Sequence, residues 1–309
     1  MKKFKKIVLA GGSGYLGQVF AKHYRDIADE VIILARKSQP DTGNVKYVIW
    51  DGKTAGDWCN HLKHADLLIN LCGKNVNCRY TQKNQTAIIE SRVTPTLLLN
   101  NVIAEMEDPP HVWINITSAT IYRHAEDRPQ DELTGEIGYG FSIDVCKQWE
   151  ESFFSTQLTN TRKVALRMGI VFGRADGAFP RLLNLVKLGL GGHQGDGEQY
   201  VSWVHEQDAA LSTQWILENK NISGIVNCTA PNAIKNTTLM KTIRNTYGVA
   251  LGLPCSTWML TFGAWLIGTE TELILKSRWV YPKILEDSGF KFQYPTATTA
   301  IRDLLSLRM

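Results

Sequence analysis

The chain has 309 residues, of which 44% are hydrophobic and 21% charged, so it is long enough for one large domain or for a large domain with a smaller one. Its 34 basic and 30 acidic residues leave a formal net charge of +4, with histidine counted as neutral. Because this slight excess is spread along the chain, it argues against a dedicated nucleic-acid or membrane surface.

The lengths of the apolar stretches and the spacing of the cysteines argue against a membrane protein and against a metal site. No stretch approaches the roughly 18 apolar residues of a membrane span. The longest candidate, Trp258–Ile267, contains Gly263 and is predicted to be a buried helix. No two cysteines form a Cys-x-x-Cys pair, so we predict free thiols in a reducing compartment, no metal site and a cytoplasmic location. The cysteines are Cys59, Cys72, Cys78, Cys146, Cys228 and Cys255.

The first half of the chain alternates short apolar runs with amphipathic stretches. Strands are predicted, in chain order, at Lys6–Ala10, Glu30–Arg36, Val45–Trp50, Asp66–Cys72, His111–Thr117 and Lys163–Phe172. Helices are predicted at Gly14–Ile27, Thr81–Glu105 and Gly140–Leu158. Apolar strands separated by helices indicate a parallel sheet covered on both faces, so we predict an α/β fold with a Rossmann-type doubly wound parallel sheet.

The alternation of strands and helices becomes less regular after about residue 173. The segments that follow are a glycine-rich loop at Gly189–Gly197, a short strand at Val201–Val204, a helix at Asp208–Asn219 and a strand at Gly224–Cys228. We therefore expect a first domain over residues 1–173, with its core extending to about 230. A smaller, mainly helical lobe is expected over 174–309, including a C-terminal helical domain at about 250–300.

The strongest signal is a glycine-rich turn between the first predicted strand and helix. It reads Gly11-Gly12-Ser13-Gly14-Tyr15-Leu16-Gly17. Gly11 permits a tight turn, Gly14 lets a pyrophosphate approach the backbone, and Gly17 allows close packing of the helix. The N–H groups and dipole of the helix N-terminus favour phosphate. The strand–turn–helix context predicts a dinucleotide site, the alternative being a glycine-rich turn without a ligand.

The end of the second strand indicates which dinucleotide binds. An NAD site usually places Asp or Glu there, where the carboxylate accepts from the ribose 2′-hydroxyl. This chain has Arg36 and Lys37 instead, and two cations attract a 2′-phosphate. We therefore favour NADP(H) over NAD, the alternative being two solvated charges at a strand end.

These features resemble the short-chain dehydrogenase/reductase superfamily, in its extended, sugar-nucleotide-epimerase-like branch. Three further segments carry the resemblance, namely Asp66–Gly73, Ile116–Tyr122 and Leu166–Gly173. The resemblance implies that Ser118 is a catalytic serine. It also implies cofactor contacts from Leu71, Cys72, Gly73, Thr117 and Arg167.

A narrower resemblance is to a subgroup of epimerase family proteins with a short extra C-terminal domain and no assigned substrate. The matching segments are Glu90–Val93, Gly191-Gly192, Gln199–His205, Ala230-Pro231 and Glu286–Phe290. Cys72 departs from the pattern because alanine is usual there, and Glu206-Gln207-Asp208 replaces a stretch with paired aspartates. These departures affect what the resemblance implies about the identity of the substrate, and they do not affect what it implies about the fold.

The superfamily's catalytic Tyr-x-x-x-Lys pair is absent. In the superfamily the two side chains lie one turn apart on a helix, where the lysine lowers the tyrosine pKa and the tyrosine transfers the substrate proton. The tyrosine position here is near Ser142 and the lysine position near Cys146. Tyr139 and Lys147 are eight residues apart, which rotates them roughly 80° from each other on a helix.

Two functions stay open for such a chain. The first is an NADP(H)-dependent oxidoreductase or epimerase that uses another acid or base, with Ser118, Tyr122 and Tyr139 as hydroxyl candidates and His193 or His205 as imidazole candidates. The second is a non-catalytic NADP(H)-binding sensor or scaffold. The partners expected are a small-molecule substrate, anionic or sugar-like, and, by resemblance, a second copy of the chain bound through helices corresponding to 81–105 and 140–158.

Several further residues are candidates for ligand contacts. Arg92 is expected to point inward and contact an anionic substrate group or the cofactor, unless it pairs with Glu90 on the helix surface. Asp51, at the end of the third strand, either meets the adenine ring or caps a turn. The expected substrate wall is the loop at Gly189–Gly197, whose glycines would give a mobile lid, together with residues that follow it. Its candidate side chains are His193, Gln199, Trp203 and His205, with a core role as the alternative for the last two.

Overall fold

The structure is a computed structural model that describes residues 3–258 and 275–306. Seven parallel strands form its main sheet, in the order β10-β6-β5-β4-β1-β2-β3. They are β1 (Phe4–Ala10), β2 (Ala28–Ala35), β3 (Val45–Ile49), β4 (Leu67–Asn70), β5 (Val112–Ser118), β6 (Arg162–Met168) and β10 (Gly224–Cys228). The predicted doubly wound α/β fold is thereby confirmed.

The helices of the described residues are α1 (Tyr15–Arg25), α2 (Gln82–Ala104), α3 (Phe141–Phe154), α4 (Ala178–Lys187), α5 (Glu206–Glu218), α6 (Asn236–Tyr247), α7 (Lys283–Asp287) and α8 (Ala297–Ser306). Of these, α1 and α5 pack on one face of the main sheet and α2 and α3 on the other, whereas α4, α6 and α8 share a separate apolar cluster. Two short 3-10 helices lie at Asp57–Leu62 and Ala119–Ile121. Within the described ranges, no helix is both long enough and apolar enough to cross a membrane.

The central strand β1 shows why the sheet needs cover on both sides. Ile7 and Leu9 belong to an apolar cluster shared with α1 and α5, whereas Val8 and Ala10 belong to a cluster shared with α2 and α3. Successive side chains of a strand point to opposite faces, so a strand buried on both sides is apolar throughout. This is why the apolar runs in the sequence locate the strands well.

The strand order places a crevice at one edge of the sheet. From β1 the chain builds outward to β2 and β3, and then returns to add β4, β5, β6 and β10 on the other side of β1. In such sheets ligands bind outside the carboxyl ends of the strands where the order reverses. The segments that follow β1, β2 and β4 all lie at this edge.

The predicted sixth strand, Lys163–Phe172, is wrong in one respect: it is two strands. β6 ends at Met168, and β7 (Ile170–Phe172) leaves the sheet to pair with β9 (Trp203–His205). Gly169 lies between the two strands. The chain passes there so close to its neighbours that a Cβ would lie 2.8 Å from the Thr229 side chain and 3.0 Å from the Ser202 carbonyl oxygen, so glycine suits this position.

The predicted strand Val201–Val204 is likewise divided. Its first half becomes β8 (Tyr200–Val201), which pairs with β11 (Ile234–Lys235). Its second half becomes β9. Of the helix predicted over Trp258–Ile267, only Trp258 lies within the described residues, and its side chain is 72% exposed.

Candidate functional site

The glycine-rich turn has the geometry that its sequence predicts. Gly11 adopts a φ of +71°, and a Cβ there would lie 2.7 Å from the sulfur of Cys72. A Cβ on Gly17 would lie 2.2 Å from the Gly12 carbonyl oxygen, so α1 packs directly on the turn. A Cβ on Gly14, by contrast, would meet no atom within 4 Å. Gly14 is therefore the one glycine of the three that faces open space, where a phosphate could approach the N-terminus of α1.

The other members of the turn divide between solvent and core. Ser13 is exposed, and Leu16 packs against the apolar cluster of α1. The Tyr15 ring lies against Gly173, and its hydroxyl donates to Glu206 at the start of α5. Tyr15 therefore offers a ligand its backbone N–H rather than its hydroxyl.

Arg36 and Lys37 follow β2 directly, at the same edge of the sheet. Both side chains are exposed, and neither forms a hydrogen bond or an ion pair within the described residues. Arg36 is close enough to Cys72 to interact with it electrostatically. Two uncompensated cations thus lie beside the turn that a dinucleotide would occupy.

Asp51 caps a turn in this structure. Its Oδ1 accepts from the backbone N–H groups of Lys53 (2.8 Å) and Thr54 (2.9 Å), and its Oδ2 accepts from the Thr54 hydroxyl. Hydrogen bonds from Thr54 and Lys53 hold the pKa of Asp51 below its usual value. The side chain is exposed, so it can still meet a ligand.

The segment after β4 brings Cys72 next to Gly11 and Gly73 next to Arg92. Leu71 extends the β4 ladder through a 2.8 Å bond from its N–H to the Ala10 carbonyl, and burial raises the pKa of the Cys72 thiol to about 12. A Cβ on Gly73 would lie 3.1 Å from the guanidinium carbon of Arg92. Glycine is therefore what lets this cation approach the edge of the sheet.

Arg92 points inward, and the alternative ion pair with Glu90 does not form. Its guanidinium donates to the carbonyl oxygens of Ile88 (3.0 Å) and Lys74 (3.1 Å) and lies 5.1 Å from the centre of the Trp149 ring. Burial lowers its pKa, and no described carboxylate pairs with it. A largely buried cation without a counter-ion is suited to an anionic ligand.

Arg167 takes a different part from the cofactor contact that the resemblance implies. Its guanidinium donates to both carboxylate oxygens of Glu150, at 2.8 and 2.7 Å, and the two side chains are buried. Thr117 donates from its hydroxyl to the same carboxylate (3.1 Å). Both predicted cofactor-binding side chains thus join β5 and β6 to α3, so a ligand could meet them only through their backbone.

The three hydroxyl residues predicted as candidate acids or bases differ in exposure and in hydrogen bonding. Ser118 is half-buried and accepts from the Thr120 N–H (3.2 Å). The Tyr122 hydroxyl is buried and donates to Asn227 (3.0 Å), and burial raises its pKa. Tyr139 is 92% exposed and precedes α3, so the helical rotation considered for Tyr139 and Lys147 does not apply. Of the three, Ser118 is the one placed at a strand end and still accessible.

Tyr80 is a hydroxyl residue at this site that the sequence did not single out. It directly precedes the N-cap of α2, and its hydroxyl lies 3.4 Å from the hydroxyl of Ser142, near which the tyrosine position of the superfamily is expected. Its ring contacts Phe141 edge-on at 4.7 Å. Tyr80 lies in an irregular loop after β4, and no spacing rule connects such a loop with the start of α3.

The 275–281 segment brings two cations, Lys276 and Arg278, close to the end of β5 and to α3. Its backbone is hydrogen-bonded to the loop after β5, at Ala125 and Gln130. Lys276 donates to the Thr120 carbonyl oxygen (3.4 Å), and Arg278 acts electrostatically on Cys146. Sequence reasoning missed both, because the contacts come from a distant part of the chain.

Trp203 and His205 belong to the core, which corrects their expected place in a substrate wall. Trp203 is 0% exposed and stacks on Phe172 at 5.1 Å. His205 is equally buried, stacks on Tyr294 at 3.8 Å and accepts the Gln207 N–H at Nδ1 as the N-cap of α5. Trp203 belongs to the apolar cluster of α4, α6 and α8, and His205 is enclosed by Tyr294 and by Asp303 of α8, so both lie out of reach of a ligand.

His205 is also not an imidazole that titrates near neutrality. Burial lowers its pKa to about 4, although the Asp303 carboxylate at 3.3 Å opposes the shift. Protonation at Nδ1 would break the cap and place a positive charge at a helix N-terminus. The ring is therefore neutral at pH 7.

This depressed pKa predicts a loss of stability in acid. Between about pH 6.5 and pH 4 the unfolded chain binds a proton at His205 that the folded protein does not, so the free energy of unfolding falls as the pH falls, by about 2 kcal/mol from this group. His205→Asn keeps an N-cap and cannot titrate. Urea unfolding across this interval should show a shallower pH dependence for His205→Asn than for the wild type. Parallel curves would contradict the assignment.

The loop at Gly189–Gly197 is held by hydrogen bonds, and two predicted wall residues belong to its network. His193 contacts the Gly195 carbonyl oxygen through Nδ1 (3.0 Å), and buried Gln199 donates to the Gln194 carbonyl (2.8 Å). Asn236 of α6 both accepts from and donates to Gln194. This network argues against the mobile lid that the glycine content suggests.

No ligand set for a metal occurs in the described part of the chain, since no three His, Cys, Asp or Glu side chains cluster there. The six cysteines form no disulfide with one another. The chemistry available at the carboxyl edge of the sheet is thus that of hydroxyl groups and guanidinium cations beside a dinucleotide-type turn.

Comparisons with known proteins agree with this architecture. Residues 7–229 match the family model described as NAD dependent epimerase/dehydratase family, and residues 257–304 match a domain of unknown function, DUF1731. The epimerase family protein YfhF of Bacillus subtilis is 30% identical, over 98% of both chains.

Solved structures show the same likeness. The human epimerase family protein SDR39U1, crystallised with NADPH, superposes with a TM-score of 0.86 at 25% identity, covering 97% of this chain and 99% of that one. A nucleoside-diphosphate sugar epimerase from Corynebacterium glutamicum has a TM-score of 0.78 at 27% identity, covering 98% of this chain and 58% of that one. This chain therefore belongs to the NAD dependent epimerase/dehydratase family.

Proposed function

We propose that the protein binds NADP(H) across the carboxyl ends of β1, β2 and β4 and acts as an oxidoreductase or epimerase on a small polar substrate, anionic or sugar-like. The observation that carries the choice of cofactor is the pair of exposed, unpaired cations Arg36 and Lys37 beside the glycine-rich turn. The human relative crystallised with NADPH supports the same choice.

The residues of the crevice fit such a cofactor from one end to the other. The exposed side chain of Asp51 lies at the adenine end, the open space over Gly14 suits the pyrophosphate, and Arg36 suits a 2′-phosphate. Cys72 and Gly73 border the nicotinamide end, with Arg92 behind them. When bound, the nicotinamide supplies or accepts the hydride, and the protein supplies orientation and proton transfer.

The substrate side of the proposal rests on charge. Arg92 has no described carboxylate partner, and Arg278 and Lys276 approach the same region from the 275–281 segment. A cation placed as Arg92 is favours a substrate that carries a carboxylate or a phosphate. Ser118 stays the hydroxyl candidate at the end of β5, while His193 and Gln199 are more remote candidates on the wall.

Removing the Arg36 guanidinium tests the cofactor. Arg36→Ala is expected to raise the Kd for NADPH about ten- to a hundredfold and to leave the Kd for NADH unchanged, because only NADPH carries the 2′-phosphate. Titration of nicotinamide fluorescence measures both constants.

Lys22→Ala is the matched control for this experiment. It also removes one exposed cation, but Lys22 lies toward the carboxyl end of α1, at the opposite edge of the sheet from the turn. NADPH affinity that falls equally in both variants would indicate a general charge effect. Equal binding of NADPH and NADH by the wild type would remove the basis for NADP(H).

A homodimer through α2 and α3 stays a prediction. Leu97 of α2 and Phe154 of α3 are partly exposed apolar side chains on the two helices concerned. The helices also pack on each other, with Asn100 donating to the Ser152 carbonyl oxygen (2.7 Å).

A further inference from the structure

Two residues at the start and middle of α2 converge on the part of α3 that lacks its catalytic pair. The Tyr80 hydroxyl lies 3.4 Å from Ser142, at the tyrosine position. The Arg92 guanidinium lies over Trp149 and interacts electrostatically with Cys146, at the lysine position. A hydroxyl and a cation therefore occupy the space beside both positions, although neither is on α3.

The two groups are also coupled to each other. Arg92 is close enough to the Tyr80 hydroxyl for an electrostatic interaction, and it has no carboxylate to neutralise it among the residues described. A nearby positive charge stabilises a phenolate, and a phenol that ionises more readily can exchange a proton with a substrate oxygen.

We propose that Tyr80 is the proton donor and acceptor of this site and that Arg92 is the cation that stabilises its phenolate, so that the pair is supplied by α2 and the loop before it rather than by α3. In the donating direction the O–H bond of Tyr80 breaks, and the proton forms an O–H bond on the substrate oxygen. The phenolate left behind is stabilised by Arg92 and regains a proton from water. The role in turnover rests on the proposed function, whereas the coupling of the two residues does not.

Among the described residues, the other charged groups around the pair do not cancel Arg92. On α3 and β6, Glu150 and Arg167 neutralise each other through two hydrogen bonds. Arg278 acts electrostatically on Cys146 as a cation. In the loop before α2, Lys74 donates to the neutral side chain of Asn84, so it brings no negative charge to this side.

Positioning of the pair follows from hydrogen bonds and packing already described. Arg92 is held by the carbonyls of Ile88 and Lys74 and by the hydroxyl of Ser91 (3.3 Å), which leaves its charge uncompensated while its geometry is fixed. Tyr80 is held by its ring contact with Phe141 and by Gln85, whose amide donates to the Tyr80 carbonyl oxygen (2.9 Å).

The test is the pKa of Tyr80 in nucleotide-free protein, measured by NMR on protein carrying ring-labelled tyrosine, with Tyr80→Phe identifying the resonance. Arg92→Gln keeps donors for the Ile88 and Lys74 carbonyls but removes the charge, and Arg92→Lys keeps the charge. We expect the Tyr80 pKa to rise by roughly one unit in Arg92→Gln and to return toward the wild-type value in Arg92→Lys.

Two results would overturn the proposal. One is the same Tyr80 pKa in the wild type and Arg92→Gln. The other is an equal rise in Lys22→Met, which removes one cation from α1 on the opposite face of the sheet. Because no nucleotide is present, a failure here is distinct from a failure to bind NADPH in the Arg36 experiment.

Discussion

Replacing Glu150 with alanine is expected to lower the free energy of unfolding by about 3–5 kcal/mol, because the buried Arg167 guanidinium would lose its only carboxylate partner in the described structure. Arg167 is 4% exposed and Glu150 is 7% exposed. Their two hydrogen bonds, at 2.8 and 2.7 Å, use Nε and one terminal nitrogen of the guanidinium. With the carboxylate removed, no other described acid pairs with Arg167.

Urea unfolding of matched variants checks this expectation. Glu151→Ala is the control, since Glu151 is the next residue of α3 and is exposed, so its loss should cost less than about 0.5 kcal/mol. The double variant Glu150→Gln/Arg167→Met removes both charges and should be more stable than Glu150→Ala. If Glu150→Ala and Glu151→Ala unfold at the same urea concentration, the buried pair does not contribute as the structure indicates.

The central strands of the main sheet could be predicted from the sequence because they are apolar on both faces. β10 begins and ends at the predicted residues, and β1, β2 and β5 differ from their predictions by only a few residues at the ends. Burial on both sides leaves a continuous apolar run, which is the clearest signal a parallel strand produces. The glycine-rich turn could be predicted for a similar reason, since its three glycines have distinct local requirements.

The division at Gly169 could not be predicted from the same kind of signal. Ile170, Val171 and Phe172 continue the apolar run, so nothing local distinguishes a strand that stays in its sheet from one that changes partner. The change depends on contacts with Ser202 and Thr229, which are distant in sequence. The division between β8 and β9 at Ser202 could not be predicted either. It too involves a residue distant in sequence, since the Ser202 hydroxyl donates to the Arg278 carbonyl oxygen (2.7 Å).

The candidate site was predicted in part, and what was missed depends on three-dimensional packing. Arg92 could be identified from the sequence as a candidate for contact with an anionic group, and the structure shows that it does point inward. Tyr80 could not, because the superfamily's motif is a tyrosine and a lysine one turn apart on one helix, and Tyr80 lies in a loop before another helix. Trp203 and His205 lie in a segment that resembles relatives, but resemblance alone does not separate a core side chain from one that contacts a ligand.

Substitution of Gly17 in the glycine-rich turn is expected to have the second large effect on stability. A Cβ on Gly17 would lie 2.2 Å from the carbonyl oxygen of Gly12 and 2.5 Å from its carbonyl carbon. These are backbone atoms, so α1 or the turn itself must move. Gly17→Ala is expected to cost about 2–3 kcal/mol of stability after the roughly 1 kcal/mol gained in helix propensity, and to abolish tight binding of NADPH.

Gly14→Ala separates binding from folding in the same turn. A Cβ there meets no atom within 4 Å, and φ is −78°, so alanine is tolerated and stability should change by less than about 0.5 kcal/mol. NADPH affinity should nevertheless fall, because the added methyl group occupies the space through which a pyrophosphate would reach the helix N-terminus. Urea unfolding and nucleotide titration of both variants give four numbers. Wild-type stability in Gly17→Ala would contradict the close contact of α1 with the turn. Wild-type NADPH affinity in Gly14→Ala would mean that the pyrophosphate does not pass over this residue.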